Sequence, residues 1–461
     1  MTDFDRYGFN SKDCIVTYVF LIRNRIAGMK NSFLFCFAII LLLFSGCNNR
    51  EKIIKPGRTL NRRLGTLLYQ KEYFRLANLL QRDRDSLNDN EKLYYQAFID
   101  NAFNRNEQAV RDVDSLMKGN FPRLPDSAAV ALQLLREDSY FKLYRYAGAA
   151  RQDSMILRNY SNVLDSEKLS DVKNHLLIRN ALRSVPPQET IKKDSLTISW
   201  KKDRIGLIEI PLKCGNIIYD AIFDTRANIS SISKTYAKRL GLIILDVSYE
   251  EGSGITGIKF KTGLGVADSL YIGNILIRNA VFQIMPDSIL YLAPINFRLN
   301  IIIGFPVIEQ LKEFHLYKNG RMFIPLTPEK AELHNFALDG LDPVISLKTG
   351  NDTLCFHLDL GADETILYST YFERFKQKVL SEGKKKVQQY GGAGGIQKKV
   401  VYIIPSLALE LGGEKITLDS VDVFTEKIFP GERFYGNLGR DFAWRFDELV
   451  FNFESMYIRG K

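Results

Sequence analysis

The feature that most limits what this chain can fold into is a repeat in its C-terminal half. Ala221-Ile222-Phe223-Asp224-Thr225-Arg226-Ala227 matches Phe356-His357-Leu358-Asp359-Leu360-Gly361-Ala362 at an offset of 135 residues. At that offset Gly257 falls on Gly392, Gly304 on Gly439 and Glu313 on Glu448, so each Asp precedes its distal Gly by 80 residues. A chance pairing of one Asp would not carry those later landmarks with it. Between the glycines the copies slip, with Ile272-Gly273 against Leu411-Gly412, as loops absorb insertions. The sequence therefore predicts one module built twice, over 200–327 and 340–461.

Each copy has the same internal order. Alternating apolar residues predict strands from Ile198 to the end of the chain. An apolar strand delivers Asp224 or Asp359, and a turn leads on to Ser230 or Thr365. A Gly-rich hairpin follows, with Gly254 and Gly257 in one copy and Gly391, Gly392 and Gly394 in the other. Such glycines let a hairpin tip bend over a ligand. The copy closes with an apolar strand running into Gly304-Phe305-Pro306 or Gly439-Arg440-Asp441, a helix-like turn, and a last strand ending at Ile324 or Ile458.

This order resembles the retropepsin-like aspartic proteases, whose signature is Asp-Thr/Ser-Gly-Ala followed by a hydroxyl residue, with a later apolar-apolar-Gly element. The resemblance runs from Trp200 to the end. It implies two all-β half-barrels forming a pseudo-symmetric, pepsin-like pair within one chain. It implies Asp224 and Asp359 as a catalytic dyad and the Gly-rich hairpins as flaps. Thr225, Arg226 and Ala227 then support the first Asp, and Leu360, Gly361 and Ala362 the second. Two carboxylates at close range share one proton. The ionised member takes a proton from a water while the other donates to the peptide carbonyl oxygen. No metal, cofactor or covalent intermediate is required. The substrate implied is a peptide or a partly unfolded protein.

Both motifs depart from the signature. Arg226 stands where the family has Gly, and its charge is expected to favour two ionised carboxylates over a shared proton. Leu360 replaces the Thr or Ser whose hydroxyl reaches across to the partner half. Two readings therefore stand: an aspartic-type endopeptidase, or a non-catalytic protein of the same fold that binds a peptide or a carboxyl-bearing ligand through Arg226.

The N-terminal half is of other kinds. Met29-Lys30, an apolar run from Phe33 to Phe44, and Ser45-Gly46-Cys47 make an export signal over 1–46, with translation expected to start at Met29. Leu43-Phe44-Ser45-Gly46-Cys47 resembles the lipobox of bacterial lipoproteins, which implies cleavage before Cys47 and lipid attached to it. Two or more acyl chains hold a protein to a membrane stably. The expected location is the cell envelope, at the outer membrane rather than the inner, since no Asp follows Cys47. A short linker, 47–58, leads to a region with apolar residues at helical spacing over 59–185. Helices are expected at Glu91–Phe103, Glu107–Met117, Ser127–Tyr146 and Ser166–Leu182. Their length and pairing suggest a tetratricopeptide-like unit that a partner protein docks on. The stretch 186–199, opened by Val185-Pro186-Pro187, reads as a linker.

Composition excludes some classes. The net charge of +10 is spread along the chain without a basic stripe interleaved with aromatics, which argues against nucleic acid. Five cysteines without a CxxC pair and four histidines argue against a Cys/His metal site. Cys214 and Cys355 are either a pair or two free thiols.

Overall fold

The computed structural model describes residues 56–118, 124–253, 258–392, 395–429 and 431–461. Within them a helical region is followed by two β-rich sheets and a smaller sheet that joins them. The export signal and Cys47 lie outside the described residues, as do Gly254, Gly257 and Gly394. No helix among the described residues is long and apolar enough to cross a membrane.

The helices are α1 (Pro56–Tyr69), α2 (Tyr73–Asp83), α3 (Asp89–Ala102), α4 (Asn106–Lys118), α5 (Asp126–Lys142), α6 (Tyr146–Asn159) and α7 (Ser166–Leu182). Each packs against the next along the chain. The start of α3 is fixed by a capping box, in which Asn88 accepts from the Glu91 N–H and the Glu91 side chain accepts from the Asn88 N–H. The helix expected over Ser127–Tyr146 is α5, which stops at Lys142 because Tyr144 takes φ +56°, and α6, from Tyr146 to Asn159, is a helix the spacing does not predict. A left-handed residue ends a helix whatever the apolar spacing beyond it. The spacing therefore carries across a break that only the backbone reveals.

The helices are docked on the β-rich part. On α2, Tyr73 donates to Asp339 (2.7 Å) and Lys71, just before it, pairs with the same carboxylate (2.5 Å). Tyr144 and Gln188 both donate to the Pro306 carbonyl, at 2.9 Å each. Tyr146, Ile178 and Leu182 form a buried cluster with Tyr249 and Leu264 of the first hairpin. The stretch expected as a linker is part of this assembly: Glu189–Ile191 pairs with Ile275–Met285, and Leu196–Ser199 pairs with Arg321–Ile324. Apolar residues such as Ile198, buried against the sheet, alternate there with polar ones, the ordinary pattern of an edge strand.

The two large sheets repeat one pairing scheme. In the first, Ile301–Ile303 runs parallel to Ile217–Phe223 and antiparallel to Ser230–Ser233. In the second, Gly436–Leu438 runs parallel to Asp352–Leu358 and antiparallel to Ile366–Leu367. Between the large sheets, Glu313–Tyr317 of the first copy pairs antiparallel with Glu448–Asn452 of the second. Its register, Glu313 opposite Asn452 and Tyr317 opposite Glu448, is carried onto itself by the 135-residue offset, with His315 opposite Val450 at the centre. Glu313 and Glu448, matched in the repeat, both meet the His315 ring, at 2.9 and 2.6 Å. Phe314 stacks on Phe451 (4.5 Å) in the buried layer beneath.

Candidate active site

The repeated landmarks hold two loops in place by the same contacts. Strand Ile217–Phe223 ends where the Asp224 N–H donates to the Ile303 carbonyl (3.0 Å). In the other copy the Asp359 N–H donates to Leu438 (2.9 Å). Each loop then returns under its distal glycine. The Gly304 N–H donates to the Ser230 hydroxyl (3.0 Å) and the Gly439 N–H to the Thr365 hydroxyl (3.1 Å). Phe305 N–H donates to Ala227 (2.8 Å), as Arg440 N–H does to Ala362 (2.9 Å). A Cβ on Gly304 would lie 2.4 Å from the Ala227 oxygen, and one on Gly439 would lie 2.7 Å from the Glu364 carbonyl carbon. The backbone comes too close there for any side chain, which is why the glycines travel with the repeat.

The two loops meet. Thr225, buried, accepts from the Leu360 N–H (3.0 Å) and donates to the Leu358 carbonyl (3.2 Å). Leu360 has no hydroxyl to return the contact, so the cross-link is one-sided. Gly361 lies against both carboxylates. Its N–H donates to Asp359 Oδ1 (2.8 Å), and a Cβ on it would lie 2.4 Å from Asp224 Oδ2. With covalent bond lengths, those contacts keep the nearest oxygens of Asp224 and Asp359 within about 8 Å. Asp359 also accepts from the Ala362 N–H (3.1 Å) and from Asn437 (3.0 Å). The Asp224 carboxyl is pushed up from its ordinary 3.8 to about 7, first by burial and then by the charge of Asp359, against the opposing N–H groups of Arg226 and Ala227.

Arg226 behaves otherwise than its sequence position suggests. Its N–H donates to Asp224 (2.9 Å), but its guanidinium crosses to the second copy. There Nη1 donates to the Tyr368 hydroxyl (3.3 Å) and to Asn437 (3.2 Å), and Nε faces Asp342 (3.4 Å). Its charge acts on Asp224 less than burial, Asp359 or the loop N–H groups do. The Arg226 charge does favour ionised Asp224, as expected, but it is the weakest of these influences, and burial with the charge of Asp359 outweighs it.

Of the hairpin glycines, Gly391 and Gly392 lie in the hairpin Lys384–Gly392 with Gly395–Leu411. Nearby Tyr390 donates to Asp422 (2.5 Å). Cys214 and Cys355 are both free, Cys355 buried and its thiol pushed upward by burial. Sequence reasoning passes over Asp342, His357, Tyr368 and Asn437. Three of them have a signal in the repeat, as polar residues at positions where the other copy carries Leu207, Ile222 and Ile302, while Tyr368, opposite Ser233, has none. Ligand atoms of Glu137, Asp153 and His175 come within 4.8 Å of one another, but the Arg179 guanidinium is lodged between Glu137 and Asp153.

No protein-family model matches the chain, and no curated protein matches it. Among solved structures it is similar to basic 7S globulin from soybean, at 12% identity over 57% of this chain and 93% of that one, TM-score 0.37. It is similar to conglutin gamma, a basic 7S globulin from lupine seeds, at 11% identity over 58% and 94%, TM-score 0.38. A retropepsin-like aspartic protease from Rickettsia conorii matches at 17% identity over 30% of this chain and 92% of that one, TM-score 0.20.

Proposed function

We propose that this chain is an aspartic-type endopeptidase, held at a membrane through Cys47, whose two C-terminal modules form a pseudo-symmetric, pepsin-like pair. The observation that carries the reading is Gly361, one residue in contact with both carboxylates. The self-matching register of Glu313–Tyr317 with Glu448–Asn452 supports a pseudo-two-fold axis through His315 and Val450. Asp359, which accepts from two loop N–H groups and Asn437, is the partner that takes a proton from water. Asp224, holding its proton up to about pH 7, donates to the carbonyl oxygen. Peptides or partly unfolded proteins are the substrates, and the helices serve as a tetratricopeptide-like platform for a protein partner.

The test is incubation of the chain starting after Cys47 with a mixed peptide library between about pH 3 and 7. Cleavage that falls at least about a thousandfold in both Asp224→Asn and Asp359→Asn supports the reading. Cleavage that survives either change sinks it. A second reading, a ligand-binding protein of the same architecture, is favoured by the one-sided Thr225 cross-link and by the Arg226 side chain, which crosses to the second copy beside the two carboxylates. An inactive wild type that gains turnover in Arg226→Gly would decide for it. Anchoring is tested by mass spectrometry of the membrane-extracted chain, with diacylglycerol on Cys47 expected and soluble release expected for Cys47→Ala.

A further inference from the structure

The two sides of the dyad are opposite in chemistry. Ile222 stands two residues before Asp224 and so shares its strand face. It belongs to a buried apolar cluster with Leu207, Phe260, Met285 and Leu299, and Ile302 packs on it. The 135-residue offset carries Leu207 to Asp342, Ile222 to His357 and Ile302 to Asn437. The slip of the hairpins carries Phe260 to Lys399. Lys399 pairs with Gln388 on the hairpin face that also bears Tyr390, whose hydroxyl reaches down to Asp422. One wall is aliphatic and aromatic, and the other sets hydrogen-bonding groups among the rings of Phe429 and Phe434.

Among the described residues the buried polar groups of that wall are partnered, except at one atom of His357. Asp342 is taken by Arg226 and Asp422 by Tyr390. Tyr368 accepts from Arg226, and its own hydrogen is assigned to His357 Nδ1 (3.2 Å), which fixes the histidine tautomer. The histidine hydrogen then sits on Nε2, an atom that is buried and has no partner among the described residues. Burial and the Arg226 charge keep the ring neutral, so Nε2–H is a single donor without an acceptor. An unpaired buried donor is costly, and an acceptor supplied by a ligand removes that cost.

We propose that the cleft takes a segment with an apolar side chain on the first copy's side of the dyad and a carboxylate or carboxamide side chain on the second copy's side. The acyl oxygen accepts from His357 Nε2, on the wall that Arg226 reaches through Tyr368. This rests on the reading of the cleft as a peptide site, and it separates from the reading of the dyad as catalytic because binding is measured without turnover.

The experiment uses the Asp224→Asn chain and four labelled peptides with Leu-Glu, Leu-Gln, Leu-Leu or Leu-Lys at the centre, followed by fluorescence anisotropy. The Glu or the Gln peptide is expected to bind at least about tenfold more tightly than Leu-Leu, and their ranking tells acid from amide. Equal or tighter binding of Leu-Leu or Leu-Lys, or binding of none of the four, overturns the proposal. In His357→Phe the preference is expected to shrink about tenfold, to near parity. A folded His357→Phe chain that keeps it also overturns the assignment, and if this variant loses its cooperative melt the peptide panel decides alone. Discriminating binding beside a wild type that cuts nothing condemns the catalytic reading and leaves this one standing.

Discussion

The two copies agree in backbone and part company in side chains, and the division between the two follows the chemistry. The contacts that seat each Asp recur: the N–H onto the neighbouring strand, the hydroxyl under the distal glycine and the closing N–H beyond it. The side chains facing the dyad do not. Glycine is kept at 361, where the Asp224 carboxylate presses on it, while position 226 carries an arginine that reaches out to the opposite copy. The module is thus held alike where its frame closes, and differs in the side chains around the two aspartates.

Gly361 is the position where that comparison breaks most sharply. An alanine there would put its Cβ 2.4 Å from a carboxylate oxygen fixed by its own loop. Gly361→Ala is expected to lower peptide cleavage by about a hundredfold or more, since a misplacement near 1 Å has that effect. Arg226→Ala, at the matching position, is expected to stay within about tenfold of wild type. Steady-state cleavage of one reporter peptide by both variants checks the asymmetry, and equal losses would contradict it.

Thr225→Val tests the one-sided cross-link. The change keeps shape but strands the Leu360 N–H and the Leu358 carbonyl in a buried place. It is expected to cost about 1–3 kcal/mol of stability, read by urea denaturation. Leu360→Thr, which offers the missing hydroxyl, is expected to change stability by no more than about 1 kcal/mol. A Thr225→Val loss no larger than that would mean the loops are held by something else.

Much of this frame is legible in the amino-acid sequence. The repeat locates Asp224, Asp359, Gly304 and Gly439 because glycines under backbone contact and residues that close a frame tolerate little else. The helical region is legible from apolar spacing, but the break at Tyr144 is not, because spacing reports a buried face and says nothing of a left-handed residue. The strand in 189–191 escapes because it pairs with a strand some ninety residues away, and a short edge segment carries little local signal. Asn437 and Tyr368 escape for a different reason. The repeat marks Asn437 as polar opposite Ile302, but the role of both residues depends on where the Arg226 side chain goes, which spacing does not record.

Arg226→Gly gives the smallest expected effect and the finest probe of the difference between copies. The arginine charge favours ionised Asp224, so its removal moves the Asp224 carboxyl further above 7. Activity that needs a proton on Asp224 falls as pH rises through that value. The alkaline limb of the rate profile is therefore expected to move upward by about half a pH unit to one unit. Stability follows the same sign. A carboxyl raised from 3.8 to about 7 on folding adds stability below about pH 4 that is lost as pH rises toward 7. Asp342, already raised by burial, loses the cation that opposed the rise. Melting temperature is thus expected to fall more steeply between about pH 4 and 8 in Arg226→Gly than in wild type, and less steeply in Asp224→Asn. A limb that stays in place, with unchanged melting slopes, would mean that the arginine charge is spent wholly on the second copy and never reaches the first copy's acid.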